Sequence, residues 1–275
     1  MSLSFSNLAR KHYENFPVGS WLLPRKFREP IHLIYAFARV ADDIADEGSL
    51  GEQERIQRIN EWEQMLLQSV KNEASDVFFR NLAETIRQFN LPTRYFQDLL
   101  VAFRRDASNP TYSTFNEVLE YCRYSANPIG RLLLKLFSCS TVENEQYSDK
   151  ICTALQLTNF WQDISVDTRR NRFYIPASDL QQFGLTFVDC TRKEKQNEFR
   201  QLMKFEVERT RALFKDGKPL LSKINGEFRK ELHFIYLGGT TILKKIERAN
   251  YETRHYRPVL SPFDMVSLAM KSLLS

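Results

Sequence analysis

The stretch "YAFARVADDIADEG", residues 35–48, places several acidic side chains on an otherwise apolar helix. Side chains three, four and seven positions apart share one face of an α-helix. The polar members of this face are Tyr35, Arg39, Asp42 and Asp46, with Asp43 beside them. A single D-D-x-x-D pattern is also common at an exposed helix end, so its meaning depends on the rest of the sequence.

A second acidic stripe follows in "QLTNFWQDISVDTRRNRFYIP", residues 156–176. Its members, again at helical spacing, are Gln156, Asn159, Asp163 and Asp167. Apolar residues such as Phe160 and Ile164 surround this stripe, so a solvated helix face explains it poorly.

The chemistry of paired carboxylates indicates a metal. Two carboxylates one turn apart repel each other, and in a partly buried site one would take up a proton unless a cation compensated. Mg²⁺ is typically held by one or two carboxylates together with substrate phosphate. The histidines have no zinc-like spacing, and neither a glycine-rich phosphate loop nor a G-x-S-x-G elbow is present. The two stripes therefore predict a magnesium clamp around a diphosphate.

A clamped diphosphate is a good leaving group. With Mg²⁺ and Arg39 neutralising its charge, its bond to carbon can break toward a carbocation, which survives only where bulk water is excluded. The 21 Phe, 11 Tyr and 3 Trp supply ring faces, although most rings are expected to be ordinary core packing. No dinucleotide fingerprint is present, so neither NADPH nor FAD is expected.

Composition and periodicity favour an all-α fold. Glycine is scarce, 9 of 275 residues, and strand-like alternation bounded by Asn-Gly or Asp-Gly turns is missing. Helical periodicity predicts further segments at about 51–70, 76–89, 93–107, 115–139, 145–169, 191–215 and 227–250. No linker or fixed repeat divides the chain, so residues 1–275 are predicted to form a single domain of roughly ten helices.

Charge and cysteine content bound the partners and the location. The formal charge of +5 is modest, and no nucleic-acid partner is expected. The basic runs at 169–172 and 244–257 fit a solvated helix face, with contact to phosphate or to anionic lipid left open. Widely spaced cysteines without a CxxC pair favour a reduced, cytoplasmic setting. The apolar stretch 234–243 is far below the ~20 residues of a membrane span. The amphipathic segment 263–274 leaves peripheral membrane contact open, with docking on the bundle as the favoured alternative.

Three segments together resemble the squalene and phytoene synthase family, the head-to-head branch of the isoprenoid synthases. "YAFARVADDIAD" is similar to its first aspartate-rich motif, "YCRYSANPIG" to its Tyr-Cys segment, and the segment 156–176 to its second aspartate motif. The resemblance covers almost the whole chain. It implies an isoprenoid synthase helical bundle around a central apolar cavity, about two or three Mg²⁺ ions and a small-molecule prenyl diphosphate substrate.

Within that family, "HYENFPVGSWLLP" and "NFWQD" are most similar to bacterial hydroxysqualene synthases of the hopanoid pathway. The familiar squalene and phytoene enzymes have Arg and Glu where this chain has Gln162 and Val166. The loss of one diphosphate ligand and one carboxylate argues against an enzyme that binds two farnesyl diphosphates. The implied reaction is presqualene diphosphate plus water giving hydroxysqualene plus diphosphate.

The resemblance also implies residue roles. The residues expected to bind Mg²⁺ are Asp42, Asp46, Asp163 and Asp167, with Asp43 as a lesser candidate. Arg39 and Arg172 are expected to bind the diphosphate. Tyr121 matches a tyrosine that steadies a cation or relays a proton, whereas Tyr174 either contacts the leaving group or packs as a core ring. Further expected substrate-binding residues are Tyr35, Asn15, Phe16, Gln156 and Asn159.

Two local signals concern helix starts and breaks. Pro30 is predicted to lie in the first turn of its helix, and Thr114 with Glu117 forms a capping-box pattern. In "SANPIG", residues 125–130, Pro128 breaks the helical ladder. That break either opens room for a prenyl chain or lets two helices meet at an angle.

Two other functions stay open. One is the condensation of two C15 or C20 prenyl diphosphates to presqualene diphosphate or phytoene. The other is a non-catalytic scaffold of the same fold, which would be expected to have lost its acidic ligands. For the favoured reaction, a presqualene diphosphate synthase would supply the substrate and a separate reductase would consume the product.

Overall fold

The apolar residues of the first motif form one face of a 22-residue helix, α1 (Arg25–Asp46). Its buried positions include Ile34, Phe37, Ala41 and Ala45, which recur every three or four residues. This spacing gives a helix with one stripe toward the core and one away from it. The acidic residues at the end of α1 lie on the other stripe and are half-buried.

The computed structural model describes residues 24–48, 50–73 and 76–274, and these residues form helices without strands. After α1 the helices are α2 (Glu52–Val70), α3 (Val77–Gln88), α4 (Thr93–Asp106), α5 (Phe115–Ser125), α6 (Asn127–Leu136), α7 (Val142–Asp167), α8 (Ala177–Gln182), α9 (Gln196–Gly217), α10 (Leu220–Lys223), α11 (Glu227–Arg248) and α12 (Pro262–Leu273). Short 3₁₀ turns cover Thr168–Arg170 and Phe187–Cys190. The predicted all-α fold is confirmed.

Two apolar clusters form the core. The first lies among α1 to α4, where Phe37 stacks on Trp62 with ring centroids 5.8 Å apart and meets Phe96 edge-on at 5.3 Å. The second surrounds α7, which packs against α6, α9 and α11. Because α1 contributes Ile31 to the second cluster and Ile34 to the first, it joins the two parts of the bundle.

Helix α7 has 26 residues and is buried around most of its circumference. The buried side chains in its second half include Leu157, Thr158, Phe160, Trp161, Gln162, Ile164 and Ser165. A helix that is buried on nearly all sides lies inside the fold. All four members of the second stripe are nevertheless half-buried, and Asp167 lines a pocket. The carboxyl end of the stripe therefore reaches a pocket.

Glycines allow two helices to approach α7 closely. A Cβ atom at Gly130 of α6 would collide with the side chains of Ser148 and Cys152 on α7. A Cβ atom at Gly217 of α9 would lie 2.9 Å from the backbone oxygen of Tyr147. The "SANPIG" break is thus followed directly by a tight helix-helix contact, which favours the interpretation that two helices meet there.

Two local predictions need correction. The segment predicted as one helix over 115–139 is two helices, because the chain turns at Ala126 and Pro128 lies in the first turn of α6. Pro30 is not in a first turn, since α1 begins at Arg25 and Pro30 lies inside the helix. It costs α1 one backbone hydrogen bond, which the burial of the surrounding face offsets.

The capping pattern at the start of α5 forms only in part. The Thr114 side chain accepts a hydrogen bond from the Glu117 amide at 3.4 Å, as predicted, but the Glu117 carboxylate accepts from the Ser113 amide at 2.7 Å. All four cysteines carry free thiols. Across the described ranges, no helix combines the length and the apolar character needed to cross a membrane.

Candidate active site

The first aspartate motif is held by an arginine of its own helix. Arg39 lies 3.0 Å from an oxygen of Asp42 and 2.6 Å from an oxygen of Asp43, and its guanidinium also approaches Glu47 at 3.6 Å. These contacts are the i,i+3 and i,i+4 pairs that helical spacing allows. Arg39 therefore neutralises two of the three aspartates of this motif.

The second motif is held by an arginine from far along the chain. Arg257 donates two hydrogen bonds to Asp163, one of them from Nη2 to Oδ2 at 3.2 Å, across 94 residues of sequence. The next residue, Pro258, accepts a hydrogen bond from the side-chain amide of the fully buried Gln162. The segment between α11 and α12 thus crosses the second motif and brings a guanidinium to it.

Arg172 joins the two motifs. Its guanidinium forms a two-pronged ion pair with Asp46, with Nη1 2.5 Å from Oδ2. Its backbone amide donates to the carbonyl of Asp167 at 2.9 Å. The chain can reverse here because Asn171 adopts a left-handed conformation, φ 56°, which asparagine tolerates better than most residues. The ends of α1 and α7 consequently lie on the same side of the bundle.

Both motifs stand at the carboxyl ends of their helices, where the peptide dipoles concentrate negative charge. Neither α1 nor α7 has a basic residue in its last turn. Arginines from outside the last turns donate to the terminal carbonyls: Arg55 to Ala45 and, at 3.4 Å, to Ile44 of α1, and Arg169 at 2.7 Å to Ser165 of α7. The two helix ends and their aspartates therefore bring several negative charges into one region, which the arginines balance only in part.

Asp167 carries the clearest sign of this excess negative charge. Burial raises its pKa to about 7, the nearby charge of Asp163 adds to the effect, and Asp46 adds more, while Arg172 and Arg170 oppose it. Within the part of the chain that the structure describes, the Asp167 side chain has no ion-pair partner. The influence of Asp46 on Asp167 also shows that the two motifs are close enough to act on one another.

A further acidic residue, Asp106 at the end of α4, was not predicted. It is buried, and Tyr121 donates a hydrogen bond to its Oδ2 at 2.8 Å. Its Oδ1 is buried without a hydrogen-bond partner among the described residues. Burial raises its pKa to about 7, and the charge of Asp46 also raises it, whereas Tyr121, Arg172 and Arg105 lower it.

Aromatic rings line the space beside these carboxylates. Tyr174 stacks on Phe160 with centroids 3.8 Å apart, and Tyr121 lies 5.9 Å from each of these rings. Tyr112 completes the group at 5.7 Å from Tyr121. Burial raises the pKa of Tyr121 and of Tyr174 well above the usual value, so both phenols stay protonated. Tyr174 is both a packed ring and a neighbour of the acidic groups.

A pocket opens beside these groups. It lies between the end of α7 and the chain that follows it, and its lining includes Phe160, Ile164, Asp167, Arg172, Phe173 and Tyr174. Three other predicted substrate-binding residues, Tyr35, Gln156 and Asn159, are half-buried. Asn15 and Phe16 lie outside the described residues. The wall of this pocket thus carries both charged groups and aromatic rings.

The donor set matches the chemistry of a hard divalent cation. Asp42, Asp46, Asp163 and Asp167 supply carboxylate oxygens, the ligands that Mg²⁺ prefers. As arranged here, arginines engage three of these four residues, and no group of three His, Cys, Asp or Glu side chains in the described ranges lies close enough together to hold a metal ion. The residues fit Mg²⁺ by type and by excess negative charge, and binding requires the arginine contacts to open.

Sequence reasoning missed Asp106 and Arg257. Arg257 stands in the basic run 244–257, but spacing could not distinguish it from its solvent-facing neighbours. Asp106 follows two arginines at the end of an amphipathic helix and gives no local signal of burial. Both become visible only through contacts across the fold, with Asp163 and with Tyr121.

The squalene/phytoene synthase family model matches residues 9–264 of this chain. Hydroxysqualene synthase from Rhodopseudomonas palustris is 35% identical over 212 residues, which span 77% of this chain and 71% of that protein. Hydroxysqualene synthase from Sinorhizobium fredii is 33% identical and spans 78% and 73%. The crystal structure of squalene synthase HpnC from Alicyclobacillus acidocaldarius superposes with a TM-score of 0.83 at 39% identity, covering 90% of this chain and 93% of that one. The chain therefore belongs to the squalene/phytoene synthase family and is an isoprenoid synthase.

Proposed function

We propose that this isoprenoid synthase converts presqualene diphosphate and water into hydroxysqualene and diphosphate. The observation that carries the proposal is the Arg172 contact, which ties Asp46 of the first motif to the end of α7 beside Asp167. Asp167 and Arg172 line an aromatic pocket, and Arg172 holds Asp46 of the other helix next to it. This arrangement suits a substrate with one diphosphate head and a long apolar tail.

In this proposal Asp42, Asp46, Asp163 and Asp167 hold Mg²⁺, with Asp43 as a lesser ligand. The bound metal would neutralise the diphosphate and so make it a better leaving group. Arg39, Arg172 and Arg257 each pair with a carboxylate in the structure. With these carboxylates engaged by a metal, the same guanidinium groups would be available to bind diphosphate oxygens, for which their geometry is well suited.

The rings of Tyr121, Phe160 and Tyr174 are proposed to face the carbocation after the carbon–oxygen bond to diphosphate breaks. Each aromatic face can stabilise a cation by about 0.5–2 kcal/mol. Asp106 acts as a positioning residue, because its bond from the Tyr121 hydroxyl fixes that phenol against the cluster. The cation rearranges, water adds its oxygen to carbon, and a proton leaves to give the neutral alcohol.

Gln162 and Val166 support a single-substrate enzyme. The Gln162 side chain is fully buried and donates to the Pro258 carbonyl, so it does not reach a diphosphate. Val166 cannot ligate a metal. The chain thus offers fewer groups for a second diphosphate than an enzyme joining two prenyl diphosphates would use, and condensation remains the alternative.

The deciding experiment is incubation with synthetic presqualene diphosphate and Mg²⁺ in labelled water without reductant, followed by product analysis. We expect hydroxysqualene that carries one labelled oxygen. Farnesyl diphosphate as sole substrate tests the alternative, and formation of presqualene diphosphate from it would replace our proposal with condensation. Lack of turnover of both substrates would favour a non-catalytic scaffold.

The same proposal places the enzyme between two others. A presqualene diphosphate synthase would supply its substrate, and a separate reductase would remove the hydroxyl group from its product. We also propose a cytoplasmic enzyme in peripheral contact with a membrane, because its substrate and product are long apolar molecules that partition into lipid.

A further inference from the structure

The most exposed apolar surface among the described residues lies on α12. Its outer face consists of Phe263, Val266, Met270, Leu273 and Leu274, which are 82%, 61%, 59%, 44% and 87% exposed. Tyr256 and Val259, in the segment leading into the helix, are also exposed. A contiguous apolar surface of this kind is unusual on a soluble protein and commonly marks an interaction site.

The geometry of α12 directs this face outward. Its members are spaced three, four or seven residues apart, so they share one side of the helix. The opposite side carries Leu268 and Ser272, which are buried against the bundle. Ser261 and Asp264 form a capping box, and Asp264 also pairs with Lys245 of α11 at 2.7 Å. The helix is thus fixed on the bundle with a second apolar side left facing out.

Positive charge is present on α12 and on α11, which packs against it. Lys244, Arg248 and Lys271 are exposed, and none of them has an ion-pair partner within residues 24–48, 50–73 and 76–274. The acidic residues of the same region are all neutralised by pairing: Glu247 with Arg211, Glu252 with Arg254, and Asp264 with Lys245. The surroundings of the outer face therefore attract a negatively charged surface.

We propose that the outer face of α12 docks on the surface of an anionic lipid bilayer. An amphipathic helix lying in the interface buries its apolar side chains at the boundary between headgroups and acyl chains, while basic residues contact anionic headgroups. The chain just before α12 is the segment whose Arg257 and Pro258 contact the second aspartate motif. A docked α12 would hold the candidate active site close to the lipid in which its substrate dissolves.

This inference rests on the peripheral membrane contact proposed above. Vesicle binding is measured without turnover, so its result is independent of the test of the proposed reaction. The probes are phosphatidylcholine vesicles with and without phosphatidylglycerol, and the readout is co-sedimentation of the protein. We expect binding to the anionic vesicles that weakens as salt increases. The triple variant Phe263→Ser, Val266→Ser, Met270→Ser should lose at least about tenfold in affinity.

The chain offers a matched control for that variant. Val77, Val142 and Val188 are 60%, 78% and 50% exposed and lie outside the α12 region. Their triple replacement by serine should leave vesicle binding unchanged. A second variant, Lys244→Gln, Arg248→Gln, Lys271→Gln, should lose the preference for anionic vesicles. Because all these side chains are exposed, each variant should retain its helicity and melting temperature.

Three results would overturn the inference. The first is equal vesicle binding by the wild type and the α12 serine variant. The second is sedimentation of the wild type with neutral and anionic vesicles to the same extent. The third is self-association of the wild type in solution that the α12 serine variant abolishes, without any vesicle binding, since the outer face would then be an interface between copies of this chain.

Discussion

The two aspartate motifs obtain their balancing charges from different parts of the chain. In the first motif, Arg39 lies one turn from the aspartates it neutralises, on the same helix. In the second, Arg257 reaches Asp163 across 94 residues, and Asp167 is left with a pKa raised to about 7 by burial and by Asp163. The first motif is balanced locally, whereas the second depends on the folded structure and remains short of positive charge.

This difference indicates which carboxylate a bound cation would stabilise most. Between residues 24 and 274, excluding 49, 74 and 75, arginines pair with Asp42, Asp43, Asp46 and Asp163, but Asp167 lacks such a partner. A divalent cation at the junction would offset the burial and the repulsion by Asp163 that together raise the pKa of Asp167. Substitutions in one motif at a time test this difference.

The largest effect is expected from the acidic ligands themselves. Asp163→Asn or Asp42→Asn removes a charged oxygen donor from one motif and should lower kcat by at least about 10²–10³-fold. Helicity and melting temperature should stay close to those of the wild type, because both side chains are partly exposed. Steady-state kinetics with presqualene diphosphate measure the loss.

The control for these variants is Glu47→Gln. Glu47 directly follows α1, is 58% exposed and approaches Arg39 at 3.6 Å, but it is not a proposed ligand. Its replacement should leave kcat within about twofold of the wild type. Full activity of either aspartate variant would remove the basis for the metal clamp.

The connection between the motifs is tested next. Arg172→Lys keeps the positive charge but loses the two-pronged contact with Asp46, and it should reduce kcat/KM by about 10²-fold. Arg170→Lys is the matched control, since Arg170 is an exposed neighbour in the same turn. Equal activity of the two variants would mean that the geometry of Arg172 has no part in the reaction.

Local periodicity accounts for what the sequence could predict. Both acidic stripes and the all-α fold follow from spacing within one or two helical turns, where the sequence alone fixes which side chains are neighbours. The start of α1 was misplaced because burial of its apolar face overrides the local preference of Pro30 for a first turn.

Contacts across the fold account for what the sequence could not predict. Arg257 is one of several basic residues in its run, and only the packing of the segment before α12 on α7 selects it. Asp106 is polar by type, yet it is buried because Tyr121 offers a hydroxyl 2.8 Å away. Neither partner is adjacent in sequence, so residue spacing does not indicate the pairing.

Asp106, a further buried carboxylate near the two motifs, makes the stability of the protein depend on pH. Its pKa rises from the ordinary carboxyl range to about 7 in the folded protein, mainly through burial. Between about pH 4 and 7 the folded state therefore holds a proton that the unfolded state has lost, and stability falls as pH rises through this window. Asp106→Asn should remove this contribution, on the order of 2 kcal/mol between pH 5 and 8. Denaturant titrations at the two pH values measure it.

Asp98→Asn provides the control for this prediction. Asp98 lies on the same helix, α4, and pairs with Arg94 at 3.7 Å near the surface. Its replacement should leave the difference in stability between pH 5 and 8 as it is in the wild type. If Asp106→Asn showed the same difference as the wild type, Asp106 would not hold a proton near neutral pH.

The smallest effect is expected from ligand binding to the wild type. Mg²⁺ and inorganic diphosphate added together should raise the melting temperature by about 5 °C, because a ligand that binds only the folded state stabilises it and here also relieves the repulsion between Asp163 and Asp167. Either component alone should give a smaller shift in melting temperature, and Asp163→Asn should reduce the joint shift.

Measurement at two pH values separates ligand binding from the relief of repulsion. Relief of repulsion requires Asp167 to be ionised, so the joint shift should be larger at pH 8 than at pH 6. A joint shift of zero at both pH values would contradict the shared site, whereas a shift of equal size at both would assign it to the first motif alone.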